Sequence, residues 1–316
     1  MKQKLSEETL QQLRILEPRL RNAVKYGDLP TAELITKAIQ QLFINNRYHH
    51  RVLQAKNYYF QAVLEDNKID SAVRGFNNVR IRANKKTRTY LEATILLGIC
   101  YLRKKSIEKA KQYIRESILT INNIKSDSRR HQFQKRIIER IEFECILGQI
   151  SDKSISTLSA EDIQEQAIQL IKTKSDQEIF GLVGSTVPQG ALQLTQDIKN
   201  YSVKLLPLGD QKLLAPPPSV SVFEFGKKIV ETVKRVGWRS VCDQKSHLYN
   251  LWKNQVPELF NKGYFASAMA ATCAKFSIGL PILVGGVVAI LMRYSAADFC
   301  ERYKPKDIMI PKNEKD

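Results

Sequence analysis

The sequence lacks the short motifs by which most catalytic sites are recognised. The segment 181–190, GLVGSTVPQG, contains three glycines but no GKS or GKT, so we expect an ordinary loop rather than a phosphate-binding one. Cys242, Asp243 and His247 lie close together, but no neighbouring residues organise an oxyanion site. The four histidines have no HExxH or Cys-His spacing. We therefore expect a non-enzymatic protein with no cofactor, no metal and no small-molecule substrate.

Cysteine is also scarce, and its distribution is informative. The five cysteines are widely spaced, odd in number and contain no CxxC pair, so we expect buried free thiols in a reducing compartment. They are Cys100, Cys145, Cys242, Cys273 and Cys300. The first residues, MKQKLSEETLQQLR, contain no apolar run of the kind found in secretory signals. The expected location is the cytoplasm, and association with the inner face of the membrane is compatible with it.

Few segments alternate between apolar and polar residues as half-buried strands do, and helical periodicity dominates, so we predict an all-α fold. Four regions are expected: a helical-hairpin repeat domain at 1–150, a middle helical segment at 151–205, a linker at 206–219 and a C-terminal helical module at 220–316. The linker sequence, LPLGDQKLLAPPPS, contains a glycine and three consecutive prolines, which interrupt helices. We expect extended chain there.

Three helices are predicted in more detail. One covers 128–147, because apolar residues recur every fourth position from Phe133 to Cys145. Another follows the cap residue Ser159 and runs to Lys172. A third starts at Val220 and is strongly amphipathic, with Lys227, Lys228, Lys234 and Arg235 opposite an apolar stripe. Its apolar stripe either packs against the segment that follows or lies on a membrane surface.

Small and large residues recur at a regular spacing in the N-terminal half. The pattern is clearest at Leu97-Gly98, Tyr101, Ala110, Ile114 and Ser117. It recurs at Tyr59-Phe60, Val63, Ala72, Phe76 and Val79, and more faintly at Leu20, Ala23, Ala32 and Ile39. This pattern resembles the tetratricopeptide repeat, although Ala32, Ala72 and Ala110 are 40 and 38 residues apart rather than about 34. The resemblance implies antiparallel helical hairpins that bind other proteins in a concave groove.

Positive charge is concentrated in the same region. The whole chain has a net charge of +18, and residues 71–140 contain 18 Lys or Arg but only five Asp or Glu. Such a surface attracts an acidic protein or the phosphate backbone of a nucleic acid. The candidate binding residues are Arg80, Arg82, Lys85, Lys86, Arg88, Arg129, Arg136 and Arg140.

The segment 264–292 is apolar and has a single charge, Lys275. Gly279 and Pro281 divide it, so we expect an apolar helical hairpin over 264–300. Residues 276–292 number 17, the lower end of the roughly 17 to 25 that span a bilayer, so the hairpin suits either a buried core or lipid. The candidate membrane residues are Phe276, Ile278, Leu280, Ile282, Leu283, Val284, Val287, Val288, Ile290 and Leu291.

Two functional hypotheses follow. The first is an adaptor or effector that docks a protein partner and enters or associates with a membrane through the hairpin, an architecture that suits a defence or cell-suicide system. The second is a soluble adaptor that binds nucleic acid through the basic repeat face and keeps the hairpin as a buried core. Besides these two, a plain protein-protein scaffold that binds neither lipid nor nucleic acid stays open, as does the oligomeric state.

Overall fold

The computed structural model describes residues 5–151, 158–214, 220–242, 247–254, 263–303 and 308–309. Within these ranges the regular structure is entirely helical, which confirms the predicted all-α class. The chain forms two compact units. The first comprises Met1–Arg140, Ser202–Leu214 and Asp307–Asp316, and the second comprises Ile141–Tyr201 and Ala215–Lys306.

The first unit contains three helical hairpins in succession. Their helices are α1 (Glu7–Tyr26), α2 (Leu29–Leu42), α3 (His50–Glu65), α4 (Ile69–Arg82), α5 (Arg88–Arg103) and α6 (Ile107–Leu119). A 3-10 turn at Ile121–Asn123 leads to α7 (Asp127–Ile150), which begins in the first unit and ends in the second. The prediction of a helix over 128–147 is therefore confirmed.

The remaining helices follow in chain order. They are α8 (Ala160–Thr173), α9 (Asp176–Ser185), α10 (Gln189–Lys204), α11 (Leu208–Leu214), α12 (Val222–Cys242), α13 (His247–Lys253), α14 (Tyr264–Lys275), α15 (Pro281–Leu291) and α16 (Ala296–Arg302). Ser159 caps α8 by accepting a hydrogen bond from the backbone N–H of Asp162 at 3.1 Å, as predicted.

The three hairpins turn in the same way. One residue in the turn after each first helix, Gly27, Asn67 or Lys105, has a left-handed backbone, with φ of 74°, 60° and 58° respectively. In each turn the next residue donates a backbone hydrogen bond to a carbonyl five positions earlier: Asp28 to Ala23, Lys68 to Val63 and Ser106 to Tyr101. This is the closing bond of a Schellman motif. The same turn geometry in all three gives the hairpins a common backbone form.

The residues that suggested a repeat form the core of the hairpins. Ala32, Ala72 and Ala110 are fully buried, as are the neighbouring packing positions Phe76 and Ile114. Gly75 allows α4 to approach α3 closely, because a Cβ atom there would lie 2.2 Å from the ring of Phe60. The hairpins therefore form by burying small residues against large ones, as the spacing predicted.

Two loop predictions were wrong. Leu208–Leu214, expected to be extended, is helical; residues 215–219, which hold the three prolines, lie outside the described ranges. Helix α9 continues to Ser185, through the first half of the glycine-containing segment. Gly184 and Gly226 allow α9 and α12 to pack together, because a Cβ on either would lie about 2 Å from a backbone oxygen of the other helix. Glycine here serves helix packing rather than a loop.

The prediction of five free thiols was partly wrong. Cys242 and Cys300 form a disulfide, with their Cα atoms 5.6 Å apart. Cys100, Cys145 and Cys273 are buried free cysteines, and burial raises the pKa of Cys145 and Cys273 to about 12. The 58 residues between the bonded cysteines conceal the pairing from sequence inspection, because only the packing of α16 on α12 brings them together.

Candidate interaction surface

Three of the predicted binding residues are engaged inside the first unit. Arg80 bonds Glu116 at 2.8 Å, and Arg88 bonds the buried Glu92 at 2.7 Å. Arg140, which is 3 % exposed, pairs with Glu65. These arginines join helices of the array or neutralise a buried carboxylate. Their first role is therefore structural, and they are poor candidates for partner binding.

The remaining predicted residues are differently placed. Arg82, Lys85, Lys86 and Arg129 are exposed, whereas Arg136 is half-buried. Arg82 is the last residue of α4, and Lys85 and Lys86 lie in the short loop between α4 and α5. Arg129 lies in the first turn of α7. The exposed members of the predicted set thus occur where one hairpin is connected to the next element.

The loops that leave the second helix of each hairpin lie side by side. These segments, 43–49, 83–87 and 120–126, are called the loop edge below. The guanidinium carbon of Arg82, at the border of the second loop, is 5.1 Å from the ring centroid of Tyr48 in the first. Asn123, in the third loop, donates hydrogen bonds to the backbone oxygens of Lys85 and Thr87 at 2.8 and 3.0 Å. Both contacts follow from stacking antiparallel hairpins, which brings equivalent connections to one edge.

The loop edge carries cations but no carboxylates. Its sequences are FINNRYH, ANKKT and TINNIKS, which contain four Lys or Arg and no Asp or Glu. The nearby field is positive as well: a hydrogen bond from Arg82 and the charge of that group lower the pKa of Tyr48. Burial and the charge of Arg82 lower the pKa of Lys56. An anionic group placed here would therefore meet uncompensated positive charge.

Exposed apolar side chains accompany these cations. Ile44 and Tyr48 are 52 % and 57 % exposed, and Ile81 and Leu119 are each 68 % exposed. Ile81 and Leu119 occupy equivalent positions, nine residues after the buried Ala72 and Ala110. The Arg80–Glu116 ion pair joins the helices that carry them. The loop edge therefore carries cations, Tyr48 and Ile44, and the exposed Ile81 and Leu119 lie at the helix ends within two residues of its loops.

A shallow polar groove lies between α1 and α3. It has a volume of about 360 Å³ and is lined mainly by polar side chains, among them Arg14, Glu17, Arg21, Arg51 and Gln54. Arg51 bonds Glu17 across the groove at 2.7 Å. The groove could hold an extended polar segment, but two of its three arginines already bond a glutamate: Arg51 bonds Glu17, and Arg14 bonds Glu7 at 3.5 Å. Its electrostatic preference is accordingly weaker than that of the loop edge.

The predicted apolar hairpin forms in the second unit and is mostly enclosed. Helix α15 packs against α8, α9, α12 and α14, and from Leu283 to Leu291 every residue is buried. Phe276 and Ile278 are also buried, whereas Ile282 is 45 % exposed and Leu280 is half-buried. The C-terminal part of the hairpin predicted over 264–300 is divided, because α15 ends at Leu291 and α16 begins at Ala296. Among the described residues, no helix combines the length and apolar character needed to cross a bilayer.

Comparisons with protein-family models, curated proteins and solved structures gave no match. Sequence reasoning identified Arg82, Lys85, Lys86 and Arg129 but missed Arg47, Tyr48, Lys125, Ile81 and Leu119. One signal could have found the loop cations: each loop contains asparagine followed within three residues by Lys or Arg, as in INNR, ANKK and NNIK. The exposed aliphatic residues gave no such signal, because apolar residues in helices are ordinarily assigned to the core.

Proposed function

We propose that this protein is a non-enzymatic adaptor whose tetratricopeptide-like array docks an acidic protein partner along the loop edge. The observation that carries the proposal is the combination of carboxylate-free cations with exposed Tyr48, Ile81 and Leu119. Protein interfaces commonly combine arginine, tyrosine and aliphatic contacts at a desolvated centre with a charged rim. Complementary charge would then accelerate the encounter and orient the partner.

Nucleic acid is the second candidate partner. It is favoured by the four cations of the loop edge and by Tyr48, whose ring could stack on a base. Phosphate binding, however, gives no role to two exposed aliphatic residues at equivalent positions, Ile81 and Leu119. A protein partner accounts for both kinds of side chain, and we therefore favour it.

Membrane association stands as a separate proposal. Entry into lipid would require α15 to leave its contacts with α8 and α9, and its enclosure supports the interpretation of the hairpin as a buried core. A role as a defence or cell-suicide effector depends on such a rearrangement. The docking proposal does not, since the loop edge belongs entirely to the first unit.

The docking proposal can be tested by capture from a lysate of the producing cells, with and without nuclease. Two edge variants are compared: Lys85→Glu/Lys86→Glu removes charge complementarity, and Ile81→Ser/Leu119→Ser removes apolar contacts. Arg19→Glu/Arg74→Glu is the matched control, because it changes the net charge equally at two exposed positions of the first unit outside the three edge loops. We expect one acidic protein to be retained by the wild type and the control, and its affinity to fall at least about tenfold in both edge variants.

The alternatives give different results. If the retained material is nucleic acid, nuclease removes it, the charge variant abolishes retention and the serine variant retains normal affinity with a strong salt dependence. If retention is the same for the wild type and both edge variants, the loop edge is not the docking surface and the proposed function is wrong.

A further inference from the structure

The Cys242–Cys300 disulfide encloses the apolar hairpin in a covalent loop. Cys242 is the last residue of α12, and Cys300 lies in α16. Between them the chain contains α13, α14 and α15, and hence all of the buried segment 283–291. With the bond intact, both ends of this region are fixed to α12. Without it, the C-terminal end is held only by non-covalent contacts.

Specific non-covalent contacts hold this end. The indole N–H of Trp238 donates to the backbone oxygen of Cys300 at 2.9 Å, and the rings of Trp252 and Phe299 are 5.5 Å apart. Lys234, predicted to lie on the polar face of α12, is instead buried, with its ammonium 4.2 Å from the ring centroid of Tyr303. A cation over an aromatic ring is attracted by it, which offsets part of the cost of burial. A helix of seven residues has little stability of its own and depends on such contacts.

The disulfide is partly accessible. Cys242 is buried, whereas Cys300 is half-buried, and three of its neighbours in α16, Asp298, Glu301 and Arg302, are exposed. Cys300 is therefore the cysteine of the pair nearer to solvent, and the one that a dithiol would attack. On the hairpin side, Arg293 contacts Asp176 and donates to the backbone oxygen of Lys174 at 2.7 Å, which gives α15 a second attachment. Arg293 thus lies within the four-residue connection between α15 and α16, and the disulfide lies beyond it in α16.

We propose that Cys242–Cys300 is a thiol–disulfide exchange site whose reduction by a dithiol loosens the apolar hairpin. A thiolate of the dithiol attacks the Cys300 sulfur, the S–S bond breaks, and Cys242 leaves as a thiolate that takes up a proton. The second thiol of the reductant then displaces Cys300 and forms the oxidised dithiol. The protein gains two electrons and two protons. The site lies in the second unit, so this inference is independent of the docking surface.

The first measurement is a count of free thiols in denaturant. We expect three before reduction, those of Cys100, Cys145 and Cys273, and five after it. The second is hydrogen exchange of the segment 281–291 in the native full-length protein, with and without a water-soluble dithiol. Reduction should accelerate exchange in this segment at least about tenfold and leave α3 to α5 unchanged, because local opening depends on the constraint removed.

Cys242→Ser/Cys300→Ser serves as the matched variant. It should exchange rapidly in 281–291 both with and without the dithiol, which excludes effects of the reagent elsewhere. If that variant fails to fold, the comparison of oxidised and reduced wild-type protein still decides the question. Five free thiols before reduction, or unchanged exchange in 281–291 after complete reduction, would overturn the proposal.

Discussion

The two edges of the helical array differ in how their charges are used. One edge, called the turn edge below, is formed by the turns within the hairpins, residues 27–28, 66–68 and 104–106. There Lys68 pairs with Asp66 at 2.9 Å, and Lys104 pairs with Asp70 at 2.6 Å. The loop edge has cations and no carboxylate within its three loops. A paired cation must give up its present partner before it can bind another anion, whereas an uncompensated cation need not. Net charge alone therefore does not identify a binding surface; the distribution of pairing does.

Removal of Arg140 should produce the largest loss of stability. It tests the contrast between cations that are paired inside the fold and cations that are exposed. Arg140 is buried and pairs with Glu65 beside the turn of the second hairpin. Arg140→Ala leaves Glu65 without this partner and should lower the free energy of unfolding by about 3 kcal/mol. Denaturant unfolding measures the change. Arg129→Ala, at an exposed position of the same helix, should change stability by less than about 0.5 kcal/mol. Equal losses of stability in the two variants would contradict the distinction between buried and exposed cations.

Glu92 should give stability a distinctive pH dependence. This carboxyl lies one turn into α5 from the loop edge, and burial raises its pKa while Arg88 acts in the opposite direction. A folded-state pKa above the unfolded value means that the folded protein holds the proton more tightly, so this group's contribution to stability falls as pH rises above the ordinary Glu range. Between about pH 5 and pH 8, the free energy of unfolding should therefore decline less for Glu92→Gln than for the wild type. Parallel curves would show that Glu92 does not titrate as described.

Lys105→Gly should stabilise the turn edge. Lys105 adopts φ of 58°, a conformation that costs most L-residues free energy and glycine little. Its side chain is exposed and has no role in the Schellman bond. The substitution should raise the free energy of unfolding by about 0.5 kcal/mol, because relief of strain exceeds the added entropy of the unfolded chain. Lys104→Gly, where φ is −79°, should instead destabilise the protein.

The smallest effect is expected from exposed ion pairs of the turn edge. Lys104 and Asp70 are 40 % and 73 % exposed at their side chains. Lys104→Ala should therefore lower stability by about 0.2 to 0.5 kcal/mol, and the loss should shrink in high salt. Lys85→Ala, on the loop edge, should show no such loss. If both variants lose the same amount, pairing is not what distinguishes the two edges.

The fold of the first unit was largely predictable from local patterns. Ala32, Ala72 and Ala110 marked the second helices because a small residue at each contact permits close helix packing. The extent of α7 and, in the second unit, the Ser159 cap of α8 were predictable for similar local reasons. Gly184 was misinterpreted, because glycine marks a loop and a close helix contact equally well in sequence. The loop edge was found only in part, since exposure of Ile81 and Leu119 depends on what packs beside them.

The sequence by itself determined the all-α class, the hairpin periodicity, the positive charge and the apolar character of residues 276–292, because each depends on residue type and short-range spacing. Tertiary structure alone decided which arginines are neutralised, that Lys234 lies against Tyr303 and that Cys242 bonds Cys300. It also decided that the apolar helix α15 is enclosed by α8 and α9. These features depend on contacts between residues far apart in the chain, and no local pattern specifies which distant side chains will meet.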